Sequence, residues 1–276
     1  MSDRSFRFGL VATPQDGRDS WLGTARRAEE CGYSTLLMPD GPQLPSPWPA
    51  LAAAATAAGR LRVGTFVLAS PLRHPRLAAW DAHSLALISG GRFEFGIGTG
   101  RPEVVQQAAE QFGQPDASRS GERLARVEQA IDLLREMDGD GHTPILVAAG
   151  GPRARALAAA KADIVAIAAS PLAGREELRR WVEEVRDAAG SRFDEIELSQ
   201  NLLVVGDVVP PWVQRFLGVD PATLAARDSQ AMLRGSTREM ADELKRRRDS
   251  LGVSYISVNS AFFEQMAPVV ELLAGR

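Results

Sequence analysis

Eight short apolar segments alternate with helix-like segments along this chain, and this alternation limits its possible folds more than any other feature. Segments this short and this apolar favour strands that are buried on both faces of a parallel sheet. Eight such strands, each followed by a helix, predict an α/β protein with a (β/α)8 TIM barrel fold, which typically has about 250 residues. No linker interrupts the pattern, so residues 1–276 are predicted to form a single domain. The eight segments are 6–12, 35–38, 61–68, 93–97, 144–149, 163–169, 196–205 and 254–258.

The helix between the third and fourth segments has apolar residues at three- and four-residue spacing, and Gly90-Gly91 ends it. This spacing is typical of a crossover helix that packs one apolar stripe on the sheet. The residues predicted to be buried in that stripe are Leu77, Trp80, Ser84, Leu85 and Ile88.

Two glycine-rich turns follow predicted strands, and ligands of parallel α/β folds bind at the carboxyl ends of strands. Gly98-Thr99-Gly100 follows the fourth strand, where the missing side chains let backbone amides approach a ligand, although such a sequence also suits a plain turn. Gly150-Gly151-Pro152 follows the fifth strand and opens a helix, with Arg153 next to it. A helix N-terminus of this kind favours an anion, and an ordinary strand-to-helix turn explains the same residues equally well.

Composition excludes several kinds of chemistry. A net charge of −3 and a pI near 5.8 argue against a nucleic-acid-binding surface, and the one basic run, Lys245-Arg246-Arg247-Arg248, is interpreted as a solvated helix face. No apolar run approaches the ~20 residues of a membrane span, so a cytoplasmic location is expected. Three scattered histidines and the single Cys31 give neither a metal site nor a nucleophilic triad. Chemistry is therefore expected to come from a bound cofactor, with the protein supplying orientation and electrostatics.

Two further features of the seventh strand and the segment after it have no assigned role. Glu197, Ser199 and Asn201 share one face of the seventh strand, so they point into the barrel or towards its rim, either as a buried network or as part of a site. The stretch 207–233 is long for a connection and is interpreted as an inserted lid or helix pair after strand seven.

Several linked motifs resemble the luciferase-like monooxygenase family: Val63-Gly64-Thr65, Arg73-His74-Pro75, Leu77-Ala78, residues 87–92 and residues 96–100. The resemblance implies a TIM barrel that uses flavin mononucleotide (FMN) or the deazaflavin coenzyme F420, and we assign the chain to the F420-dependent subgroup. The implied reaction is hydride transfer between reduced F420 and a small organic substrate. An FMN-dependent monooxygenase and a non-catalytic flavin-binding barrel are the alternatives. The family also implies a homodimer.

The resemblance implies positions for the cofactor as well. Its phosphate would lie at residues 148–152, and a bulge with a non-proline cis peptide at Phe66-Val67 would back its ring. Many F420 enzymes of the family have Asp-His after strand two and an acid after Gly-x-Gly, but here Gly41 follows Asp40 and Arg101 replaces the acid. No catalytic acid or base is therefore assigned. The predicted cofactor-binding residues are Asp40, Phe66, Val67, Ala69, Thr99, Gly100, Arg101, Ala149, Gly150, Gly151, Pro152, Arg153 and Ser170.

Overall fold

A closed barrel of parallel strands forms the centre of the molecule, as predicted. The computed structural model describes residues 4–112, 119–211 and 218–276. The described strands are β1 Arg7–Val11, β2 Thr35–Met38, β3 Arg62–Thr65, β4 Leu68–Ala69, β5 Phe93–Gly98, β6 Ile145–Ala149, β7 Ile164–Ile167, β8 Glu197–Leu202, β9 Val204–Val205, β10 Met232–Leu233 and β11 Val253–Asn259. Around the barrel they are ordered β1, β2, β3 with β4, β5, β6, β7, β8 and β11, and β11 pairs with β1 to close it.

Helices connect successive barrel strands and cover the outside of the sheet. The described helices are α1 Arg18–Glu30, α2 Pro47–Ala57, α3 Pro75–Ile88, α4 Pro102–Phe112, α5 Ser120–Asp138, α6 Pro152–Lys161, α7 Arg175–Ala189, α8 Pro221–Ala226, α9 Thr237–Leu251 and α10 Phe263–Leu273. Local signals fix several of their ends: Ser236 and Glu239 form a reciprocal capping box at the start of α9, and Gly252 ends that helix with a positive φ of 77°.

The predicted buried stripe of α3 is wrong for its large residues. Leu77, Trp80 and Ile88 are 49%, 60% and 67% exposed, and Ser84 is half-buried, whereas Leu85 is buried as predicted. The helix has two apolar faces, and the face that packs inward is built from small residues, which let α3 approach β5 and α5 closely. The buried residues of α3 are Pro75, Ala78, Ala79, Ala82 and Leu85.

The third predicted strand is split into β3 and β4 by a bulge. The register against β5 shifts by one residue between the pair Val63–Phe93 and the pair Leu68–Ile97, so β3 and β4 together contain one extra residue. The peptide bond between Phe66 and Val67 lies in this bulge and is cis, as the family resemblance implied.

The side chain of Thr65 replaces the sheet hydrogen bonds that the bulge removes. Gly96 N–H donates to Thr65 Oγ1 at 2.9 Å, and Thr65 Oγ1 donates to Gly96 O at 2.6 Å. A Cβ on Gly96 would lie 1.9 Å from Thr65 O, so only glycine allows this close approach.

A cluster of charged side chains closes the barrel at the N-terminal ends of its strands. Arg7 pairs with Glu94 and with Glu197, each at 2.6 Å, and Arg62 pairs with Glu94 at 2.8 Å. Arg7 also lies over the Tyr255 ring, 3.6 Å from its centroid, and Tyr255 OH donates to Glu94 Oε2 at 3.2 Å. Burial, with the charge of Glu94, raises the pKa of Tyr255 well above its usual value, so the phenol stays protonated.

The predicted insertion after strand seven is present, although residues 212–217 lie outside the described residues. It contains α8, and its strand β10 pairs with β9 in a small parallel sheet. The insertion is attached to the β7–α7 loop, because Gln230 N–H donates to Ala173 O at 3.0 Å and Ser229 Oγ donates to Pro171 O at 2.5 Å.

Candidate functional site

A cavity of about 200 Å³ opens among the carboxyl ends of β6, β7 and β8. Its walls are mainly apolar, and none of the described residues that line it carries a charge. Neutral, mostly apolar walls with a few polar groups are typical of a site for an uncharged organic group. The lining residues are Phe66, Val67, Ala148, Ala166, Ile167, Ala168, Ala169, Ser170, Ala173, Leu178, Gln200, Asn201, Leu203, Gln230 and Ala231.

The bulge between β3 and β4 forms one wall of this cavity. Phe66 and Val67 are half-buried and line it. Gly98 on β5 makes room for this wall, because a Cβ at that position would lie 2.9 Å from Val67 Cγ2. Phe66, Val67 and Ser170 are the predicted cofactor-binding residues that line the cavity itself.

The polar side chains of the cavity are uncharged: three amides and the hydroxyl of Ser170. Asn201 lies at the upper end of β8, and Ser257 Oγ donates to its Oδ1 at 3.1 Å. Gln200, on the opposite face of β8, donates from Nε2 to Gln230 O at 2.6 Å. Gln230 is 1% exposed, and its Oε1 has no hydrogen-bond partner among the described residues. Such a buried acceptor normally has a partner, and the described residues supply none.

The residues of β8 that were predicted to share a face occupy different levels of the barrel. Glu197 pairs with Arg7 at the bottom, Ser199 is buried in the middle and Asn201 reaches the cavity. Ser199 Oγ has no hydrogen-bond partner in the described part of the chain. Only the upper end of this face contributes to the candidate site.

Arg247 on α9 fastens the insertion to the barrel. Its guanidinium donates to Gln230 O at 2.7 Å, to Met232 O at 2.9 Å and to Gln200 Oε1 at 3.4 Å. Its charge is balanced by Glu243, at 2.9 Å, which also pairs with Arg175. Burial raises the pKa of Glu243, but hydrogen bonds and charge from Arg247 and Arg175 lower it more, so it lies below its usual value.

The start of α6, where the sequence predicts an anion site, lies beside the cavity. Gly150 follows β6, and a Cβ on it would lie 3.3 Å from the carbonyl oxygen of Ala168, a cavity residue. Gly151 is the N-cap residue, Pro152 is the first helical residue, and within the described structure no side chain caps this helix. A Cβ on Gly151 would meet no described atom within 4 Å, so the space beside this exposed residue is open.

A buried arginine that the sequence analysis did not identify supports this turn. Arg155 donates to Gly150 O at 2.8 Å, pairs with Glu184 at 2.6 Å and stacks on Trp181, 4.3 Å from the ring centroid. The exposed Arg153 lies next to the same turn. The predicted Ala149, Gly150, Gly151, Pro152 and Arg153 therefore lie together at the end of β6.

The other predicted residues lie at the neighbouring strand ends. Gly100, with a φ of 72°, lies beside Ala69: a Cβ on Gly100 would be 3.6 Å from that of Ala69. Thr99 and Arg101 flank Gly100 after β5. The Asp40 carboxylate accepts from Arg73 NH1 at 2.7 Å, from Arg73 NH2 at 3.1 Å and from Ala69 N–H at 3.0 Å, so it fixes the loop after β4.

The described residues that line the cavity include neither a histidine nor an acid. His74 serves as the N-cap of α3, where its Nδ1 accepts from Arg76 N–H at 3.2 Å. Across the described residues, no group of three or more histidine, cysteine, aspartate or glutamate side chains could hold a metal ion. The helices described here include none that is long and apolar enough to cross a bilayer.

The closed (β/α)8 barrel, with a cavity at the carboxyl ends of its strands, is a TIM barrel. Residues 5–207 match the model of the luciferase-like monooxygenase family, which is more than half of the chain, so the protein belongs to that family. Its members are F420- or FMN-dependent oxidoreductases and monooxygenases.

Relatives of both cofactor types are similar to this chain. The F420-dependent glucose-6-phosphate dehydrogenase of Beutenbergia cavernae is 30% identical over 49% of this chain and 48% of its own length, so the chain spans about half the length of that curated relative. The F420-dependent tetrahydromethanopterin reductase of Methanopyrus kandleri has a TM-score of 0.73 at 16% identity, over 97% of each chain. The oxygenating constituent of 3,6-diketocamphane monooxygenase from a Pseudomonas putida plasmid, in complex with FMN, has a TM-score of 0.71 at 17% identity, over 97% of this chain and 95% of that one.

Proposed function

We propose that this protein is an F420-dependent oxidoreductase that transfers a hydride between the reduced cofactor and a small organic substrate. The observation that carries the proposal is the position of the neutral cavity next to the N-terminus of α6, which no described side chain caps. An apolar slot takes a planar ring, and a helix N-terminus beside it takes the phosphate of the ring's tail. The similarity to an F420-dependent dehydrogenase favours F420 over FMN.

The residues present fit such a cofactor. Phe66 and Val67 would lie against the ring, and the first-turn amides of α6 after Gly151 would bind the phosphate. Arg155 holds the Gly150 carbonyl, so it keeps this turn in position for the anion. When bound, the cofactor supplies hydride chemistry, and the protein orients it and keeps water from its ring.

A substrate would enter from the open side of the barrel, where α4, the 207–233 insertion and the β4–α3 loop surround the strand ends. The neutral walls favour an uncharged substrate at the ring, since a charged group there would lose its hydration without a counter-charge. We expect Arg101, in the β5–α4 loop, and Arg153, in the first turn of α6, to contribute to the binding of anionic parts of either ligand.

A titration with each cofactor tests the proposal. Purified protein is mixed with F420 or FMN, and binding is followed by difference spectra while oxygen uptake is recorded. Micromolar binding of F420 without oxygen uptake is expected. Binding of FMN with substrate-dependent oxygen uptake would instead support the monooxygenase. Tight binding of either cofactor without turnover of any acceptor would support a non-catalytic flavin-binding barrel. If the protein binds neither cofactor, the enzyme proposal is refuted.

A substitution at Gly151 tests the phosphate position. Gly151→Val places a branched side chain where the structure leaves open space, and its φ of −112° suits valine, so the fold is expected to persist. We expect the affinity for the phosphorylated cofactor to fall by roughly tenfold or more, because one lost charge-assisted hydrogen bond is worth about 1.5–3 kcal/mol. Gly59→Val is the control, since Gly59 has equal space but lies before β3 at the opposite end of the barrel. Unchanged affinity in a folded Gly151→Val protein would contradict this placement.

We further propose that the protein forms a homodimer through the exposed apolar face of α3. This face carries three large apolar residues that are all exposed: Leu77, Trp80 and Ile88. Contiguous exposed apolar patches of this kind often mark protein–protein contact surfaces. Trp80→Glu is expected to convert a dimer to a monomer in light scattering at micromolar concentration. Leu272→Glu, on the exposed side of α10, is the control. A wild-type protein that is already monomeric would refute the dimer.

A further inference from the structure

We propose that Asn201 is a catalytic donor: its side-chain Nδ2 donates a hydrogen bond to the substrate oxygen on the carbon that exchanges the hydride. This inference rests on the function proposed above and adds to it a residue and a substrate class. The substrate is a small neutral carbonyl compound, or the matching alcohol when the reaction runs in reverse.

The position of Asn201 on β8 directs its side chain into the barrel. It shares one face of the strand with Ser199 and with Glu197, and Glu197 pairs with Arg7 in the charged cluster that closes the barrel. Asn201 lies nearest the carboxyl end of β8, is half-buried and lines the cavity. Its side chain therefore belongs to the inner wall of the cavity.

The amide of Asn201 is oriented by Ser257, its register partner on β11. The Ser257 hydroxyl donates to Oδ1 at 3.1 Å, which leaves the two N–H groups of Nδ2 for a ligand. Within the described structure Nδ2 has no acceptor, and it is not one of the described side-chain atoms that are both buried and without a partner. Nδ2 is therefore accessible, and the space that Asn201 lines is the cavity.

The other two amides of the cavity already donate to the protein. Gln200 Nε2 donates to Gln230 O at 2.6 Å, and Gln230 Nε2 donates to Asp228 O at 3.2 Å. Both side chains are also buried, whereas that of Asn201 is not fully covered. Among the amides that line the described cavity, Asn201 thus has the donor that a bound molecule can reach.

Asn201 lies across the barrel from the bulge that carries Phe66 and Val67. With β3 and β4 counted as one, the bulge belongs to the third barrel strand and β8 is the seventh, so the two lie opposite each other in the closed ring. All three residues line the same cavity. A ring that lies against Phe66 and Val67, as proposed above, presents its other face towards β8. Asn201 would therefore contact a substrate on that face rather than the cofactor.

A neutral donor at this position suits a carbonyl substrate. When a hydride adds to the carbonyl carbon, the π electrons of the C=O bond move to the oxygen, and the donor stabilises the negative charge that develops there. An amide N–H keeps its proton, so water protonates the oxygen. The carbonyl compound gains one hydride from the reduced cofactor and one proton from water, and water recovers the proton that the cofactor loses on oxidation.

The cavity walls disfavour charged hydride acceptors. No described residue that lines the cavity is charged, so a cationic imine would lose its hydration without a counter-charge. A neutral carbonyl group needs only a hydrogen-bond donor, which Asn201 supplies.

Pairs of neutral probes test the donor. The two members of a pair have the same shape, but only the ketone accepts a hydrogen bond: cyclohexanone with methylenecyclohexane, and acetophenone with α-methylstyrene. Dissociation constants are measured on protein loaded with oxidised F420, from the change that each probe causes in the cofactor spectrum. Infrared difference spectroscopy records the C=O stretch of each bound, isotope-labelled ketone. The rate of hydride transfer to each ketone is measured in a single turnover with reduced F420.

Asn201→Asp is the matched variant, because it keeps an oxygen for the Ser257 hydroxyl and replaces only Nδ2 by an oxygen. Asn201→Leu removes the whole amide at similar size. Ser199→Ala is the control, since Ser199 lies lower on the same face of β8 and does not line the cavity.

The ratio of ketone affinity to alkene affinity is expected to fall by roughly three- to tenfold from the wild type to Asn201→Leu, the effect of one neutral hydrogen bond. Asn201→Asp should lower this ratio further, because a carboxylate repels the carbonyl oxygen. Both variants should lower the rate of hydride transfer by roughly a hundredfold or more, because the hydrogen bond strengthens as charge develops on the oxygen. The affinity for F420 and all properties of Ser199→Ala should stay as in the wild type.

Each outcome supports or overturns the inference. It is overturned, while the cofactor assignment stands, if Asn201→Asp and Asn201→Leu with native circular dichroism keep the wild-type affinity ratio and rate, or if they weaken F420 binding instead. Wild-type protein that binds F420 but neither ketone also overturns it. So does a C=O stretch in the wild type that is no lower than in hexane, a measurement that needs no variant. If the wild type does not bind F420, the proposed function and this inference fail together.

Discussion

Replacement of Thr65 by valine should show how much the bulge between β3 and β4 depends on a single hydroxyl. Thr65 is 1% exposed, and its Oγ1 bonds both the N–H and the carbonyl of Gly96. Valine has nearly the same shape but can neither donate nor accept, so both backbone groups would stay buried without a partner. Each of the two groups costs about 1–3 kcal/mol, so Thr65→Val is expected to lower the free energy of unfolding by about 2–6 kcal/mol.

Thr65→Ser is the matched variant, because it keeps the hydroxyl and removes only a methyl group. Its loss should be roughly 1 kcal/mol, the value for one buried methyl group. Urea unfolding at pH 7, followed by circular dichroism, measures both variants against the wild type.

The same change should reach the cavity, because Phe66 and Val67 follow Thr65 directly and form one of its walls. Thr65→Val is therefore expected to weaken cofactor binding more than Thr65→Ser does. The reasoning is refuted if valine is as stable as serine at this position, since the hydrogen bonds to Gly96 would then contribute nothing.

Three further results are expected. Gly96→Ala should destabilise the fold by about 3 kcal/mol or more in urea unfolding, because the new Cβ would lie 1.9 Å from a backbone oxygen. Gly23→Ala is the control: it lies inside α1 with open space around it and should be neutral or stabilise the fold by about 0.5–1 kcal/mol. Arg7→Met should lower the thermal midpoint strongly, by the equivalent of about 3–5 kcal/mol, since Glu94 would keep a buried charge with one partner fewer; a midpoint near that of the wild type would contradict this. The pKa of Glu243 is lowered in the folded protein, so its ionised form adds stability at pH values above its unfolded pKa of about 4.3. This stability is lost as the pH falls through the lower folded pKa. The difference in unfolding free energy between wild type and Glu243→Gln should therefore shrink from pH 7 to pH 3, and a constant difference would refute this.

The strands of the barrel could be predicted from the sequence because their signals are local. Each buried strand is a short apolar segment with glycine, proline or a polar turn next to it, and 35–38 coincides with β2. The glycine pair at Gly150-Gly151 was predicted to lie at the end of a strand and the start of a helix, and it does. Its role in phosphate binding stays a prediction.

The orientation of α3 could not be predicted in the same way. Periodicity shows that a helix has an apolar face, but α3 has two, one of alanines and one that includes Trp80. Large residues suggested the buried face, and close packing selected the small one. The choice depends on the distance between neighbouring elements, which a single helix does not encode.

Contacts between distant parts of the chain explain the rest of what sequence analysis missed. Gln230 meets Arg247 and Gln200 only after the barrel has closed and the insertion has folded back on α9. Arg247 belonged to a basic run that was interpreted as a solvated face, yet it is buried. Glu243 lies four residues before Arg247 on the same helix and pairs with it. This spacing was the sequence signal that Arg247, unlike its neighbours, could be paired within the helix.

The unpaired hydroxyl of Ser199 also has a practical consequence for anyone who wishes to engineer this barrel. Ser199 lies between the charged cluster that includes Glu197 and the cavity that includes Asn201, and it contacts neither region through a hydrogen bond in the described structure. Its replacement by alanine removes a polar atom that the interior does not satisfy, which is neutral or favourable. Thermostable variants of the chain can therefore be sought at the middle of the barrel, while the upper rim is varied separately to accept new substrates.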